Sequence, residues 1–178
     1  MLTNNFKQAM RLILANRNSR NSGGLEIKDT GGTTKYLMSL DSWPAGSSVA
    51  IDPTISSYTS PGVWIGSGTT PAAVTDYTLE NRITSGASGR CDVPSNTGVD
   101  ENGNPQLMMV LTITNTGSSS ITVSEVGFFQ NVKASTSPNS GGGSGTLVML
   151  DRTLLNTPAT IPAGESVAIT YTLKTVSS

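Results

Sequence analysis

The residues best suited to chemistry in this 178-residue chain are carboxylates that lie close together in the sequence. Asp76 and Glu80 are separated by three residues, and Asp151 directly precedes Arg152. Paired carboxylates can act as general acid and general base, as they do in glycosidases. A chain with 12 acidic residues, however, offers such pairs by chance. We therefore assign no catalytic residue from this pattern and keep a carboxylate hydrolase as an alternative.

Histidine is absent and Cys91 is the single cysteine. Ser-His-Asp and Cys-His nucleophile arrangements, the usual zinc sites and an intrachain disulfide are therefore excluded. The acidic stretch 100–104 resembles part of a calcium loop but lacks the ligand order and the distal glutamate of an EF-hand. Gly66-Ser67-Gly68 resembles a fragment of a phosphate-binding loop, but no Walker pattern follows, so a turn is the simpler interpretation. We predict a protein that is not an enzyme, with no metal ligands and no cofactor.

Aromatic side chains could line a carbohydrate groove, because flat rings stack on sugars. The candidates are Trp43, Tyr58, Trp64, Phe128 and Phe129. Rings in strands belong to the core more often than to a binding surface. Trp43 precedes Pro44 in a segment with weak strand signals, and it is therefore the candidate ligand contact.

The N-terminal residues predict an amphipathic helix over residues 3–16. Thr3, Asn4 or Asn5 can cap this helix, and apolar side chains recur at helical spacing along one face. The helix either packs on the β body of its own chain or inserts into a partner protein. The residues that we predict to contact a partner are Leu2, Phe6, Lys7, Met10, Arg11, Ile13 and Arg17.

Charge is distributed unevenly along the chain, whose formal net charge is −1. Residues 1–35 carry six basic and two acidic side chains, giving +4, so the remainder carries −5. This asymmetry indicates that residues 1–24 form a docking arm on an acidic body. An acidic body argues against a dedicated nucleic-acid-binding module. The apolar run 12–15 is too short for a signal sequence or a membrane span, so we expect neither.

Composition and alternation predict a mostly β domain over residues 25–178, with the clearest signals from residue 62. Ser and Thr make up roughly a quarter of the chain, whereas charged residues make up only 13%. Thr favours pleated surfaces, and Gly, Pro and Ser favour turns. Short strands at this spacing are typical of an antiparallel β-sandwich or a jelly roll. The predicted strands are 25–28, 34–40, 48–52, 62–66, 107–114, 121–129, 147–155 and 167–173.

Three of these regions carry more specific expectations. The turn-forming segment 115–120 joins the strands 107–114 and 121–129, which predicts a β-hairpin. The apolar residues of the second strand change face midway, so we expect a bulge near Glu125 that keeps them all in the core. Residues 89–105 are rich in Gly, Asn and Asp and predict a long polar loop or an extended edge excursion.

Three segments form an ordered set: IGSGTTPAAVTDYTLENRI (65–83), LTITNTGSSSITVSEVGFF (111–129) and LVMLDRTLLNTPATIPAGESVAITYTL (147–173). Together they resemble small virion structural proteins of tailed bacteriophages, over about the C-terminal two-thirds of the chain. The resemblance implies a multi-copy oligomer that binds other virion proteins and is assembled in the host bacterial cytoplasm. The resemblance implies that the chain decorates the capsid or is a component of the neck, tail or baseplate. The alternative is a receptor- or glycan-binding module of a phage fibre.

Overall fold

The computed structural model describes residues 2–8, 25–37, 62–92, 106–138 and 144–174. Within these ranges the chain is mostly β, and its strands form two antiparallel sheets. The strands are β1 Leu25–Lys28, β2 Thr34–Leu37, β3 Gly62–Gly66, β4 Ala87–Asp92, β5 Gln106–Asn115, β6 Ile121–Ser135, β7 Ser144–Ile161 and β8 Ser166–Lys174. Three of the predicted features lie outside the described residues, namely the strand 48–52, Trp43 and the acidic stretch 100–104.

The larger sheet has five strands and is organised around β6. One side of β6 pairs with β7 along most of its length, and the other side pairs with β3 and, at its end, with β2. β1 pairs with β2 and extends this sheet. The smaller sheet has three strands and places β5 between β4 and β8. Among the described residues, β1, β3, β4, β7 and β8 are therefore edge strands.

The main hydrophobic core packs residues of the two sheets together. Leu111 and Ile113 of β5 and Tyr171 of β8 share it with residues of the larger sheet such as Val63 and Phe128. Full burial of one large apolar side chain stabilises a fold by about 1.5–3 kcal/mol. Because the side chains of a strand alternate between its two faces, every second side chain of β5 and β8 can enter this core and hold the smaller sheet against the larger one.

β6 changes register with β7 at two points, between Val123 and Glu125 and between Phe128 and Phe129. The first change confirms the predicted bulge near Glu125. Because a bulge shifts the alternation by one residue, Val123 and Val126 both lie in the main core. Glu125, which lies between these valines, is directed to the opposite face of the sheet.

The hairpin predicted from the turn segment 115–120 is wrong, because β5 and β6, on either side of it, belong to different sheets. Asn115 fixes the crossing between the sheets. Its Nδ2 donates to the carbonyl oxygens of Ser119 and Ile161 at 2.8 and 2.9 Å, and its Oδ1 accepts from the N–H of Gly117 at 2.9 Å. A buried Asn side chain thus supplies the hydrogen bonds that a reverse turn would otherwise make.

Of the two alternatives predicted for 89–105, a long polar loop or an extended edge excursion, the structure shows the second at residues 89–92, and the rest of the segment lies outside the described residues. Residues 89–92 belong to β4 and pair with residues 110–113 of β5. An edge strand is held chiefly by backbone hydrogen bonds to one neighbour, so a polar composition does not prevent it from forming.

Residues 67–83, which we call the covering segment, form no helix or extended strand and lie over the outer face of the larger sheet. Leu79 of this segment packs with Trp64 and Phe129 in a second, smaller core. The rings of Trp64 and Phe129 stack with their centroids 3.9 Å apart, and the Arg82 guanidinium lies 4.4 Å from the Trp64 ring centroid. The larger sheet is therefore packed on both faces.

Gly127 of β6 leaves room for this smaller core, since a Cβ there would lie 2.7 Å from Phe129 and 2.8 Å from Leu79. We expect Gly127→Ala to lower the free energy of unfolding by about 1–3 kcal/mol through overpacking, as measured by urea denaturation. Gly145→Ala in β7 is the matched control, because a Cβ there would meet no atom within 4 Å. Equal stability of the two variants would contradict the packing of the covering segment on the sheet.

Candidate functional site

Glu125 is fully buried on the outer face of the larger sheet. Its Oε1 accepts hydrogen bonds from the N–H of Asn81 at 2.8 Å and from the N–H of Gly68 at 3.2 Å. Its Oε2 accepts from the N–H of Glu80 at 3.2 Å and from Nε of Arg152 at 2.7 Å. Burial of a carboxylate is costly without such donors, so this site depends on the backbone of the covering segment.

The glycines on either side of Ser67 permit this close approach. A Cβ on Gly68 would lie 2.6 Å from Oε1 of Glu125, and a Cβ on Gly66 would also overlap the carboxylate. The fragment that resembles part of a phosphate-binding loop therefore does direct a backbone N–H at an anion. That anion is a side chain of the same protein.

Arg152 of β7 lies beside Glu125 and is 3% exposed. Its Nη1 donates to Oδ2 of Asp76 at 2.9 Å, and its Nη2 donates to the carbonyl of Thr70 at 3.1 Å and to Oε2 of Glu80 at 3.4 Å. Burial by itself lowers the pKa of Arg152, but hydrogen bonds to Asp76 and Glu125 outweigh burial and raise it. The guanidinium thus stays charged and connects β6 and β7 to the covering segment. We call Thr70, Asp76, Glu80, Glu125 and Arg152 the Arg152 cluster.

Asp76 and Glu80, singled out by their spacing, meet at Arg152 with side chains 23% and 40% exposed. The hydroxyl and N–H of Thr70 donate to Glu80 at 2.6 and 2.8 Å and hold the pKa of Glu80 below its ordinary value. Asp76 also accepts from the N–H of Ala73 at 2.8 Å. These hydrogen bonds stabilise the carboxylate form of Glu80, and together Asp76 and Glu80 anchor the covering segment to Arg152.

Asp151 and Arg152 are adjacent in β7, but the structure does not bring their side chains together. Asp151 accepts a short hydrogen bond from the hydroxyl of Tyr171 in β8 and a second one from Thr153 at 2.8 Å. Burial, together with the negative charge of Asp151, raises the pKa of Tyr171 above its usual range. The phenol therefore stays protonated, and this buried contact links the larger sheet to the smaller one.

The first residues of the chain lie on the outer edge of β7. The N–H of Thr3 donates to the carbonyl of Leu150 at 3.0 Å, and its hydroxyl donates to the carbonyl of Met149 at 2.8 Å. Asn5 donates from Nδ2 to the carbonyl of Lys28 and accepts at Oδ1 from the N–H of the same residue, both at 2.8 Å. These two polar side chains attach the chain start to β7 and β1.

Some of the residues predicted to bind a partner instead contact the body of the same chain. Leu2 forms a backbone bridge to β7, Phe6 packs against the main core, and Lys7 is exposed. Of the helix predicted over 3–16, residues 3–8 are described: Thr3 is not helical, and residues 4–8 are. No helix in the described ranges is long and apolar enough to cross a membrane. The predicted contacts outside the described residues are Met10, Arg11, Ile13, Arg17 and Trp43.

A cavity of about 340 Å³ lies between the first residues, β1 and the covering segment. Most of the residues that line it have polar side chains, among them Asn4, Glu26, Lys28 and Asp76. Within the described part of the chain, no group of three or more Cys, Asp or Glu side chains is placed to hold a metal ion. The cavity therefore presents mixed charges and amides, and it adjoins the Arg152 cluster through Asp76.

In comparisons with known proteins, no family model matches the chain, and neither a curated protein nor a solved structure matches it.

Sequence reasoning missed Glu125 and Thr70 as members of the cluster. Glu125 interrupts a strand whose other residues are mostly apolar, and a charged residue within a buried strand signals that a charged partner lies nearby. Thr70 gave no such signal. Its carbonyl accepts from Arg152 and its hydroxyl and N–H donate to Glu80, and all three contacts depend on the local path of the covering segment.

The depressed pKa of Glu80 predicts how stability depends on pH. Because the pKa is lower in the folded chain than its ordinary value of 4.5, the stabilisation is complete above pH 4.5 and is lost as the pH falls through the folded-state pKa. We expect Glu80→Gln to weaken the acid-induced loss of stability, measured as urea unfolding at a series of pH values.

Thr70→Val removes a hydroxyl that donates to Glu80 and should reproduce part of this change. Thr69→Val, the same substitution at the exposed neighbouring position, is the control and should behave as the wild type. An unchanged pH profile in Glu80→Gln would refute the role assigned to this carboxylate.

Proposed function

We propose that this chain is a non-enzymatic structural protein of a tailed-phage virion, present in multiple copies on the capsid or in the neck, tail or baseplate. Its two antiparallel sheets belong, in this proposal, to a β-sandwich or jelly roll with an N-terminal arm. Assembly into the particle takes place in the host bacterial cytoplasm. The partners are other virion proteins and further copies of the same chain.

The observation that carries the proposal is the meeting of the three segments that resemble virion proteins. Segment 65–83 supplies Asp76 and Glu80, segment 111–129 supplies Glu125, and segment 147–173 supplies Arg152. Residues far apart in sequence thus meet around the buried pair of Glu125 and Arg152. The three segments that carry the resemblance thus contribute to one cluster that anchors the covering segment on the larger sheet.

The polar surface of the body also supports an assembly role. On the strand residues of 156–170, the exposed side chains are mainly hydroxyls, amides and methyl groups, which can form lateral contacts without a large apolar patch. Of the two tryptophans, Trp64 lies within the described residues. Its ring is buried under Arg82 and cannot stack on a sugar. Phe128 and Phe129 are buried as well, so none of these three candidate rings favours the glycan-binding alternative.

The arm is the proposed contact to other virion proteins. Thr3 and Asn5 anchor its first residues to the body, so the basic stretch that includes Arg11 and Arg17 starts from a fixed point beside β7. A basic arm on an acidic body favours contacts between oppositely charged surfaces of neighbouring subunits.

The test is incorporation into phage particles assembled in the presence of variant chains. We expect Arg11→Glu combined with Arg17→Glu to abolish incorporation, measured by mass spectrometry of purified particles, while the urea midpoint stays unchanged. Thr3→Val is the contrasting variant, because it removes hydrogen bonds to the body and should lower the urea midpoint.

If the double charge-reversal variant enters particles as efficiently as the wild type, the arm does not make the proposed contact. Absence of the wild-type chain from purified particles would refute the proposed function itself.

A further inference from the structure

Sheet edges expose unpaired N–H and C=O groups, and natural proteins protect them by covering them, shortening them or placing charges and prolines on them. In the larger sheet, β3 is covered by the covering segment, since Ile65 accepts a hydrogen bond from the N–H of Ile83 at 3.0 Å. The centre of β7 is covered by Thr3, and its far end contains Pro158. β1 has four residues, two of them charged, and Asn5 bonds both backbone groups of Lys28.

The smaller sheet has two edges of different character. β4 has six residues, and its sequence contains Gly89, Arg90 and Asp92. β8 has nine residues, SVAITYTLK, with no Pro, no Gly and no charge before its last residue, Lys174. It pairs with β5 in continuous register over its whole length, without a bulge. Among the edges in the described part of the chain, β8 alone is long, regular and uncharged.

The side chains of β8 also suit a continuation of the sheet. Ser166, Ala168 and Thr170 are exposed, whereas Val167 and Ile169 pack against the main core and Tyr171 is buried. Every second residue of such a strand directs its N–H and C=O groups away from its existing partner. No backbone hydrogen bond joins that outer side of β8 to another described residue.

We propose that β8 pairs with β8 of a second copy of this chain, so that two three-stranded sheets join into one. A strand without charge between Ser166 and Leu173 suits a second copy, because identical charged edges would repel each other. Two copies related by a twofold axis perpendicular to the sheet keep their core-facing residues on the same side. This inference deepens the proposed function, on which it rests for its biological meaning, by naming the surface through which copies meet.

Two conditions set the register of this pairing: the two copies of β8 should overlap over their full length, and opposed residues should lie on the same face of the sheet. Antiparallel copies of β8 overlap over all nine residues only when Thr170 lies opposite Thr170. In that register Ile169 lies opposite Tyr171 and Ala168 lies opposite Thr172, so residues of the same face meet. A shift by one residue would oppose core-facing residues to exposed ones.

The test measures the mass of the full chain in solution by sedimentation equilibrium over a wide range of concentrations. The wild type should form dimers. Thr170→Lys places two like charges opposite each other at the twofold axis and should raise the dimer dissociation constant about tenfold or more. Thr160→Lys, the same substitution at an exposed position of β7, is the control and should dimerise as the wild type does.

A second variant tests the register. In a Cys91→Ser background, Thr170→Cys should give a disulfide-linked dimer under mild oxidation, because opposed Cα atoms in antiparallel strands lie about 4.5–5.5 Å apart. Thr160→Cys should not. A wild type that remains monomeric at every concentration overturns the proposal, as does a dimer that Thr170→Lys leaves intact. Both readouts are independent of phage particles, so a dimer that is absent from virions would refute the proposed function and not this interface.

Discussion

The ion pair between Glu125 and Arg152 is the interaction on which the outer half of this structure depends. Both side chains are almost completely buried, and the distance from Nε to Oε2 is 2.7 Å. Two charges removed from water are costly unless each finds further hydrogen bonds. Here the further donors and acceptors come from the covering segment, so the pair cannot be satisfied unless that segment is in place.

This dependence explains why 17 residues with little regular structure, 67–83, hold one conformation against a sheet. The backbone N–H groups at positions 68, 80 and 81 bind Glu125, while Asp76 and Glu80 bind Arg152. Leu79, between these anchors, is thereby placed in the smaller core beside Trp64 and Phe129. Polar anchoring and apolar packing therefore stabilise the same segment.

The order of apolar residues predicts several strands, because it is a local signal, but it misses β4 and predicts only part of β6 and β7. The strands β3 and β8 and the bulge near Glu125 follow from the order of apolar residues. Pairing between strands is not local. β5 and β6 lie in different sheets, and Asn115 at the end of β5 bonds to Ile161, a residue 46 positions away. The Arg152 cluster could be foreseen only in part, since spacing suggested Asp76 with Glu80 but nothing in the local sequence joined them to Glu125.

The same features relate the fold to the proposed role in a virion. One end of the chain is attached to β7 by Thr3 and Asn5, and the opposite sheet ends in the uncharged edge of β8. In the proposals made above, the first of these surfaces presents the basic arm to other virion proteins and the second pairs with another copy of the chain. A rigid body that carries both can join neighbours in an assembly, and the Arg152 cluster contributes to that rigidity.

A double-mutant cycle on Glu125 and Arg152 tests this account most directly. The free energies of unfolding of Glu125→Gln, Arg152→Met and the double variant would be measured by urea denaturation and compared with that of the wild type. We predict a coupling energy of about 2 kcal/mol or more, with the double variant more stable than the sum of the single effects implies. A coupling energy below about 0.5 kcal/mol would contradict the central place given to this pair.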